Sequence, residues 1–454
     1  MNWRDKKVLV IGMARSGVAV AEVLAAKGSQ VTICDKKDER ELKDSITKMS
    51  GKGINVIAGK YPEVTGEKFN LVIPSPGVPL DIPPIQQAYG DKSIYVWSEI
   101  ELAYRMSQGE IVAVTGTNGK TTTTSLIGQM FSDAGMPTIV AGNIGKPLVR
   151  EIQNSTPEHR IIVEVSSFQL ETIHNFRPKV AVFLNLTPDH LDRHKTFNKY
   201  KRCKMNIFKN QEKDDWAVLN YDDLQVREMK KEINSKAMYF SQKEEPSPGV
   251  YIKDDQVIVD WGTKKDIICP VEHIKLRGSH NLENCLAAIA AGVVLNLPKE
   301  SVAHTLHTFA GVEHRLEYVR EINGVTFVND SKGTNPEASL KALEAYSDKP
   351  IILLAGGMDK GSDFSLFAEA IQKGVKNLIL LGETAPKIAV AVEKIGFKDY
   401  YYVKTLKEAV HKAWELACPG DVILLSPACA SWDMFKSYEE RGELFKAVVN
   451  SLGG

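Results

Sequence analysis

Residues 111–128, IVAVTGTNGKTTTTSLIG, decide the fold class of this chain. A β-branched strand runs into two glycines and a lysine, and a helix-compatible stretch follows, which is the strand, loop and helix order of a phosphate-binding loop. The glycines permit tight turns, Lys120 offers a charge for β/γ-phosphates, and the threonine hydroxyls suit Mg²⁺. The usual pattern G-x-x-x-x-G-K-[ST] has a glycine where this chain has Val114. We therefore predict a shortened phosphate loop; the alternative is a plain turn with an N-cap threonine.

Short apolar runs alternate with helical stretches on both sides of this loop, and such alternation indicates parallel, doubly wound sheets. The runs fall into three series, which start at VLVIG (8–12), IVAVTG (111–116) and VTFVND (325–330). We predict an α/β chain of three domains: a Rossmann-like domain at 1–98, a P-loop-type ATPase domain at 99–311 and a Rossmann-like domain at 312–454. The charged, turn-rich residues 225–270 contain a short alternating run near VIVDW. They are predicted to form small strands or a surface excursion, and a solvated insert without function is favoured.

Composition narrows the class of protein. The chain has 454 residues, with 57 Lys+Arg against 57 Asp+Glu, so no global positive field favours nucleic acid. Six cysteines are scattered without a C-x-x-C pair, which is typical of a reducing cytosol. The N-terminus enters a strand within seven residues, leaving no room for a signal peptide, and the longest uncharged apolar run is too short to span a bilayer. We expect a cytoplasmic protein without membrane insertion.

Polar residues follow nearly every predicted strand, and ligands bind beyond the carboxyl ends of parallel strands. Glu164 ends the buried run IIVEV and could reach Mg²⁺ as a Walker-B acid does, although an ion pair is an equal alternative. Asp189 and His190 lie at the tip of the loop that follows another apolar run. A histidine alone is more often structural, but its position beside Glu164 and the phosphate loop favours function.

Lys204 falls on an apolar stripe if 196–209 is helical, because 100° per residue places it with Phe197, Tyr200 and Ile207. Such a lysine usually snorkels to solvent. If it is buried instead, the neutral amine is favoured, and that form can react with CO₂ or act as a base.

The N-terminal run Gly12-Met-Ala-Arg-Ser-Gly17, with Asp35 after the second strand, is similar to a dinucleotide fingerprint. Ala14 replaces the glycine that lets the backbone approach a pyrophosphate. An oxidoreductase is therefore weakly indicated, and a sugar-nucleotide diphosphate would use the same geometry.

Eight motifs along the whole chain together resemble the Mur ligase family, and most closely its D-glutamate-adding branch. They are GTNGKTT (116–122), GNIG (142–145), EVSSFQLE (164–171), NLTPDHLDRH (185–194), GSHNLENCLAA (278–288), EHR (313–315), NDSKGTNPEA (329–338) and SPACASWDMF (426–435). The central motifs are shared with folylpolyglutamate synthases. GMARSG and SPACASWDMFKSYEERG favour the D-glutamate branch, and the D-N-P-R motif of the diaminopimelate- or lysine-adding ligase is absent from the sequence.

The resemblance implies an ATP-dependent amide ligase of peptidoglycan synthesis that acts through an acyl phosphate and a tetrahedral intermediate. Its substrates would be ATP, UDP-N-acetylmuramoyl-L-alanine and D-glutamate, its cofactor Mg²⁺ in two sites, and its oligomeric state a monomer. A folylpolyglutamate synthase and an NAD(P)-dependent oxidoreductase are the alternatives.

The resemblance also implies roles for individual residues. The expected ATP-binding residues are Gly116, Thr117, Asn118, Gly119, Lys120, Thr121, Thr122, Asn284, Arg315 and Asp330. The expected contacts of the UDP substrate are Ser16, Asp35, Lys36, Ser75, Gly77, Asn143 and Ser166. D-glutamate would be bound by Thr334, Lys360, Ser431, Trp432 and Tyr438. The metal ligands would be Thr121, Glu164, His190 and a carbamylated Lys204, and the catalytic residues Lys120, His190, Lys204 and Lys332.

Overall fold

The computed structural model describes residues 2–143, 145–276, 278–358 and 362–453. The chain forms two compact units, residues 1–309 and residues 310–454. The first unit contains two β-sheets and the second contains one. The mixed α/β architecture with three sheets confirms the predicted fold class.

The first sheet has five parallel strands in the order β3-β2-β1-β4-β5. Its elements are β1 (Lys7–Ile11), α1 (Arg15–Ala26), β2 (Gln30–Asp35), α2 (Glu39–Ser50), β3 (Asn55–Ala58), β4 (Leu71–Pro74), α3 (Pro83–Gly90) and β5 (Tyr95–Val96). Gly17 lets α1 pack closely behind β1, because a Cβ there would lie 1.9 Å from the Gly12 carbonyl oxygen. Sequence order reverses on either side of β1, which is where α/β sheets bind ligands.

The second sheet has nine strands in the order β14-β13-β12-β11-β10-β9-β6-β8-β7. Its unit continues with α4 (Glu99–Met106), β6 (Glu110–Thr115), α5 (Lys120–Asp133), β7 (Thr138–Gly142), α6 (Leu148–Glu151), β8 (Arg160–Glu164), α7 (Ser167–Leu170), β9 (Val180–Phe183), α8 (Leu191–His194), α9 (Phe197–Met205), β10 (Trp216–Asn220), α10 (Leu224–Arg227), β11 (Lys236–Ser241), β12 (Gly249–Lys253), β13 (Gln256–Asp260), β14 (Lys265–Pro270), α11 (Ser279–Val293) and α12 (Lys299–Thr308). Strand β6 pairs in parallel with β8 and β9. The segments after these three strands therefore meet at one edge of the sheet.

The prediction of small strands at 225–270 is confirmed, and the favoured solvated insert is wrong. Strand β11 pairs in parallel with β10, and β12 to β14 extend the same sheet. Val250, Tyr251 and Val257 are fully buried there. Charged turns dominate the composition of this segment, whereas its short apolar runs supply the buried face, so average polarity misrepresents it.

The second unit contains a six-stranded sheet in the order β15-β16-β20-β17-β18-β19. Its elements are β15 (Glu317–Ile322), β16 (Val325–Asn329), α13 (Pro336–Ala345), β17 (Ile351–Ala355), α14 (Ser365–Gly374), β18 (Val375–Leu380), α15 (Ala385–Glu393), β19 (Tyr400–Tyr402), α16 (Leu406–Leu416), β20 (Val422–Leu425) and α17 (Tyr438–Ser451). Only β15 is antiparallel to its neighbour among these described strands. Two separate clusters of buried residues form the core of this unit.

One apolar cluster in the first unit includes residues of both its sheets, among them Val10, Trp97, Ile100 and Phe183. The first two sheets thus share a core, and the domain boundaries at 98/99 and 311/312 stay predictions. None of the helices described is long and apolar enough to span a lipid bilayer.

Candidate functional site

The loop between β6 and α5 has the backbone of a phosphate-binding turn. Gly119 is in the left-handed region with φ 80° and is the N-cap of α5, which has no side-chain cap. A Cβ on Gly119 would lie 2.1 Å from Asn284 Oδ1, so only glycine fits. Lys120 Nζ donates to the carbonyl oxygens of Gly116 at 3.0 Å and Thr117 at 2.8 Å. The amide groups at the start of α5 and the lysine together suit an anion.

Thr121, Glu164 and Asn143 form one hydrogen-bonded group at the edge of the sheet. Thr121 Oγ1 donates to Glu164 Oε2 at 2.8 Å, and Asn143 Nδ2 donates to Glu164 Oε1 at 2.8 Å. Glu164 is almost completely buried. A buried carboxylate beside a hydroxyl oxygen is a donor set that suits a hard cation such as Mg²⁺.

Asn185 supports the loop between β6 and α5, and the sequence reasoning missed it. Its Oδ1 accepts from the Asn118 amide at 2.8 Å, and its backbone oxygen accepts from the Thr117 amide at 3.0 Å. It follows β9, the neighbour of β6, and its side chain therefore fixes the loop from the adjacent strand. Its place in the motif NLTPDH was the signal that could have found it.

Lys204 is buried, so the expectation that its amine snorkels to solvent is wrong. Only 2% of the residue is exposed, and Nζ donates to the Gly116 carbonyl oxygen at 2.7 Å and to Thr115 Oγ1 at 3.4 Å. Nζ also lies 4.9 Å from the centre of the Tyr200 ring. The predicted apolar stripe is confirmed: Tyr200 on α9 and Ile207, just beyond the end of α9, are also buried, and Phe197 is half-buried. The stripe brings Lys204 Nζ against the loop that follows β6.

His190 and Asn284 occupy different surroundings. His190 is exposed, has φ 51° and lies against Phe168, with 5.0 Å between ring centres. Its backbone amide donates to Asp189 Oδ1 at 2.9 Å. Asn284 is buried, and its Oδ1 accepts from Thr123 Oγ1 at 3.3 Å. The predicted roles of both, in metal binding and near adenine, stay predictions.

Part of the predicted set for the UDP substrate meets around the loop after β1. The Met13 amide donates to Asp35 Oδ2 at 2.8 Å, and Ser75 Oγ donates to the Gly12 carbonyl oxygen at 3.1 Å. Ser16, Lys36 and Gly77 are not buried and lie on the segments that follow β1, β2 and β4. Ser166 lies elsewhere in the same unit, where its Oγ caps α7 by accepting from the Gln169 amide.

In the second unit, a buried acid joins the motifs EHR and NDSK. Asp330 Oδ1 accepts from the Leu316 amide at 3.2 Å, and Oδ2 accepts from Ser426 Oγ at 2.7 Å. Burial raises the pKa of Asp330 to about 6, although Ser426 and the positive charge of Arg315 act in the opposite direction. The Lys332 amide donates to the His314 carbonyl oxygen at 2.9 Å, so the backbone of the two motifs is fixed together.

The predicted D-glutamate residues fall on loops of the same unit. Ser431 is buried and Trp432 is 61% exposed, and both lie on the segment between β20 and α17. Thr334 follows β16, and Tyr438 begins α17. Lys360 lies outside the described residues. The binding roles of this set stay predictions.

Arg441 connects these loops and was missed by the sequence reasoning. Its guanidinium is buried and donates to Ser331 Oγ at 3.0 Å, to the Ser331 carbonyl oxygen at 2.9 Å and to the Cys429 carbonyl oxygen at 3.2 Å. Burial lowers its pKa to about 10. The charged run SYEERG gave no sign that one of its charges would be buried.

Comparison with known families gives three matches along the chain. Residues 6–96 match the Mur ligase MurD-like N-terminal domain, residues 114–292 the Mur ligase middle domain, and residues 314–429 the Mur ligase glutamate ligase domain. A UDP-N-acetylmuramoylalanine--D-glutamate ligase of Pelotomaculum thermopropionicum is 49% identical, with 99% of each chain covered. The enzyme of the same name from Clostridioides difficile is 45% identical, with 100% of each chain covered.

Solved structures of related proteins share the fold at low identity. The UDP-N-acetylmuramate-alanine ligase of Thermotoga maritima has a TM-score of 0.56 and 19% identity, over 98% of this chain and 99% of that one. A pseudomurein peptide ligase of Methanothermus fervidus has a TM-score of 0.55 and 18% identity, over 99% of this chain and 100% of that one.

Proposed function

The chain belongs to the Mur ligase family, and we propose that it joins D-glutamate to UDP-N-acetylmuramoyl-L-alanine at the expense of ATP. The observation that carries this proposal is the full-length identity of 45–49% to ligases named for that reaction. The MurD-like match at 6–96 disfavours a folylpolyglutamate synthase. The full-length identity to ligases and the alanine at position 14, in place of the glycine that lets the backbone approach a pyrophosphate, disfavour an oxidoreductase.

The first unit has groups that suit both a nucleoside triphosphate and Mg²⁺. The start of α5, which has no side-chain cap, places backbone amide groups where a phosphate could bind. Lys120 Nζ, which donates to the carbonyl oxygens of Gly116 and Thr117, lies at the same loop. Thr121 Oγ1 and Glu164 Oε2 are oxygen donors 2.8 Å apart. Bound there, Mg²⁺ would offset the negative charge of the phosphates. We assign Thr121 and Glu164 to it, and His190 as a further ligand.

The reaction requires two displacements. The alanine carboxylate attacks the γ-phosphorus and releases ADP, and the D-glutamate amine then attacks the acyl carbon and releases phosphate. Lys120 would offset the charge on the phosphoryl group during the first displacement. The amine must lose a proton in the second. Residues of the loops after β16 and β20, among them Thr334 and Ser431, are proposed to bind the two D-glutamate carboxylates.

The decisive assay mixes the protein with ATP, Mg²⁺ and UDP-N-acetylmuramoyl-L-alanine and adds one amino acid at a time. Phosphate release and product mass are followed. We expect product with D-glutamate and none with L-glutamate, L-lysine or diaminopimelate. Product with L-lysine or diaminopimelate, but not with D-glutamate, would contradict the substrate assignment. Absorbance at the nicotinamide band after adding NAD(P)H tests the oxidoreductase alternative in the same samples.

We further propose that Lys204 is carbamylated in the active enzyme. A carbamate forms when the neutral amine attacks CO₂ and loses one proton. It retains one N–H, so the hydrogen bond to the Gly116 carbonyl oxygen can persist. The new carboxylate would give the buried lysine a negative charge under the phosphate loop, which suits a second Mg²⁺.

The test of carbamylation is chemical rescue of Lys204→Ala. The variant should lose activity, and formate or acetate should restore part of it by replacing the missing carboxylate. Lys204→Arg, which keeps a buried cation, should be inactive with or without these anions. An alanine variant that stays inactive at every anion concentration, together with no carbamate signal from wild-type protein under ¹³C-labelled CO₂, would overturn the assignment.

Cytoplasmic location and a monomeric state are part of the proposal. The location agrees with the nucleotide-linked substrate named for the relatives. Sedimentation of the purified chain tests the second.

A further inference from the structure

Three potential metal ligands from three successive segments come together in the first unit, apart from the Thr121 and Glu164 pair. Glu171 follows α7, His194 ends α8 and Cys203 lies on α9. One donor atom from each lies within 4.8 Å of the other two. A carboxylate, an imidazole and a thiol form a mixed donor set that binds Zn²⁺.

The separation of the histidine and glutamate ligand atoms is close to that which a tetrahedral zinc requires. His194 Nδ1 and Glu171 Oε1 are 3.5 Å apart. Zinc bonds of about 2.0–2.3 Å at tetrahedral angles place pairs of ligands about 3.4–3.6 Å apart. The Cys203 sulfur lies within 4.8 Å of both atoms, so a side-chain movement of about 1 Å at most would bring it to the separation of a zinc ligand, with water as the fourth ligand.

The groups around the three ligands already fix their orientation. His194 Nε2 lies 2.9 Å from Ser167 Oγ, and the imidazole stacks on Phe168 with 5.2 Å between ring centres and an interplanar angle of 13°. Both contacts direct Nδ1 toward Glu171. The other carboxylate oxygen of Glu171 accepts from Arg193 Nη2 at 2.9 Å. Such secondary hydrogen bonds are typical of metal sites.

The cluster is reachable from solvent. All three residues line a cavity of about 730 Å³, which is also lined by Gly77, Pro79 and Leu80 from the segment after β4. An ion can therefore enter without unfolding of the chain.

The net charge of the cluster decides whether a dication is stable among the cationic side chains around it. Lys195, Lys199 and Arg202 also line the cavity, and they would repel an isolated Zn²⁺. Zinc bound to one carboxylate, one thiolate and a neutral imidazole forms a cluster without net charge, once the thiol proton has passed to solvent. A thiolate ligand also selects Zn²⁺ over Mg²⁺, because Mg²⁺ prefers oxygen.

We propose that Glu171, His194 and Cys203 form a Zn²⁺ site that is distinct from the site proposed for Mg²⁺. The ion would link α7, α8 and α9, and Cys203 immediately precedes Lys204 in the chain. Bound Zn²⁺ should therefore restrain the segment that carries His190 and Lys204. It should raise the thermal stability of the protein and slow its turnover, reversibly on chelation.

The test uses the full chain, stripped of metal, with Co²⁺ as a spectroscopic probe. Wild-type protein should give the intense visible bands of tetrahedral Co²⁺ and a near-ultraviolet band from thiolate to metal. Zn²⁺ should abolish both and excess Mg²⁺ should not. Cys203→Ser should lose the near-ultraviolet band and the stabilisation by Zn²⁺. Ser167→Ala should weaken binding about 10–100-fold by removing a secondary hydrogen bond.

Cys418→Ser is the matched control, because Cys418 is an exposed thiol outside the cluster, and it should behave as wild type. The proposal is overturned if folded wild-type protein gives no thiolate band, if the band survives in Cys203→Ser, or if Mg²⁺ displaces Co²⁺. None of these readouts depends on ligase activity, so this proposal and the proposed function can fail separately.

Discussion

Asp330 is a residue whose burial lowers the stability of the folded chain and for which a role in ATP binding is predicted. Its carboxyl is buried, and burial raises its pKa from 3.8 to about 6 despite the hydrogen bond from Ser426. A charged carboxylate in that position lowers the free energy of unfolding, because the charge is removed from water. The acid is retained in a loop for which a nucleotide-binding role is proposed, which is where such costs are expected.

Asp330→Asn should be more stable than wild type near pH 8 and less active. Between about pH 4 and pH 6 the folded wild-type protein keeps a proton that the unfolded chain has lost, so its free energy of unfolding falls as pH rises through this window. The asparagine variant has no ionisable group at this position, so it lacks this contribution to the pH dependence. Its advantage in melting temperature should therefore grow from pH 4 to pH 6 and then level off, as measured by thermal unfolding across pH.

Asp363→Asn, in the same unit, is a control in which the effect on stability should have the opposite dependence on pH. Hydrogen bonds from Ser365 hold the pKa of Asp363 below its usual value, so this carboxylate stabilises the fold above the unfolded pKa and loses that effect as pH falls. The variant should be slightly less stable near neutral pH, and the difference should vanish in acid. An Asp330→Asn profile parallel to wild type would contradict the assigned burial cost.

At the scale of elements, the βα turn from β6 to α5 depends on backbone geometry more than on any side chain. Gly119 is left-handed and touches Asn284, while Asn185 fixes the loop from the end of β9. The loop is therefore shaped by α11 and a neighbouring strand as well as by its own glycines.

Gly119→Ala should abolish nucleotide binding and destabilise the chain. The added Cβ meets Asn284 Oδ1 at 2.1 Å and the φ of 80° is strained for alanine, so we expect a loss of about 1–3 kcal/mol in the free energy of unfolding. Urea unfolding and titration with a fluorescent ATP analogue measure the two effects.

Gly53→Ala separates strain from crowding. Gly53 has φ 72° but no atom within 4 Å of an added Cβ, so only the backbone cost of about 1–2 kcal/mol should appear, with nucleotide binding intact. If Gly119→Ala binds the analogue as wild type does, the loop is not the phosphate site.

At the scale of the whole molecule, the chain is two compact units, and the second has the features of an independently folding domain. Residues 310–454 contain a complete six-stranded sheet with a buried cluster against each face. The first two sheets, by contrast, share a core around Trp97 and Ile100.

Residues 310–454 expressed alone should therefore unfold cooperatively, with near-ultraviolet circular dichroism of fixed aromatic side chains. A fragment of residues 330–454 is the matched control: it lacks β15 and β16, exposes the edge of β20 and should not fold. A gradual transition for 310–454, or equal cooperativity for the control, would contradict the division into units.

The sequence by itself determined the fold class, the order of strand, loop and helix at residues 111–128, and the apolar stripe around Lys204, because each is a local pattern that one segment expresses alone. Periodicity placed Lys204 among buried residues, and G-K-T after a strand indicated the anion site. The same local patterns left residues 225–270 between small strands and a solvated insert, because charged turns outnumber the short apolar runs there. The apolar runs are buried only because each of β11 to β14 pairs with the preceding strand and so extends the sheet.

Only the tertiary structure decided which side chains meet. The hydrogen bonds from Thr121 and Asn143 to Glu164, the support of Asn118 by Asn185 and the burial of Arg441 all join residues far apart in sequence. The cluster of Glu171, His194 and Cys203 is of the same kind. Strand order and helix packing set these distances, and they depend on the summed burial energy of whole sheets rather than on any local run of residues.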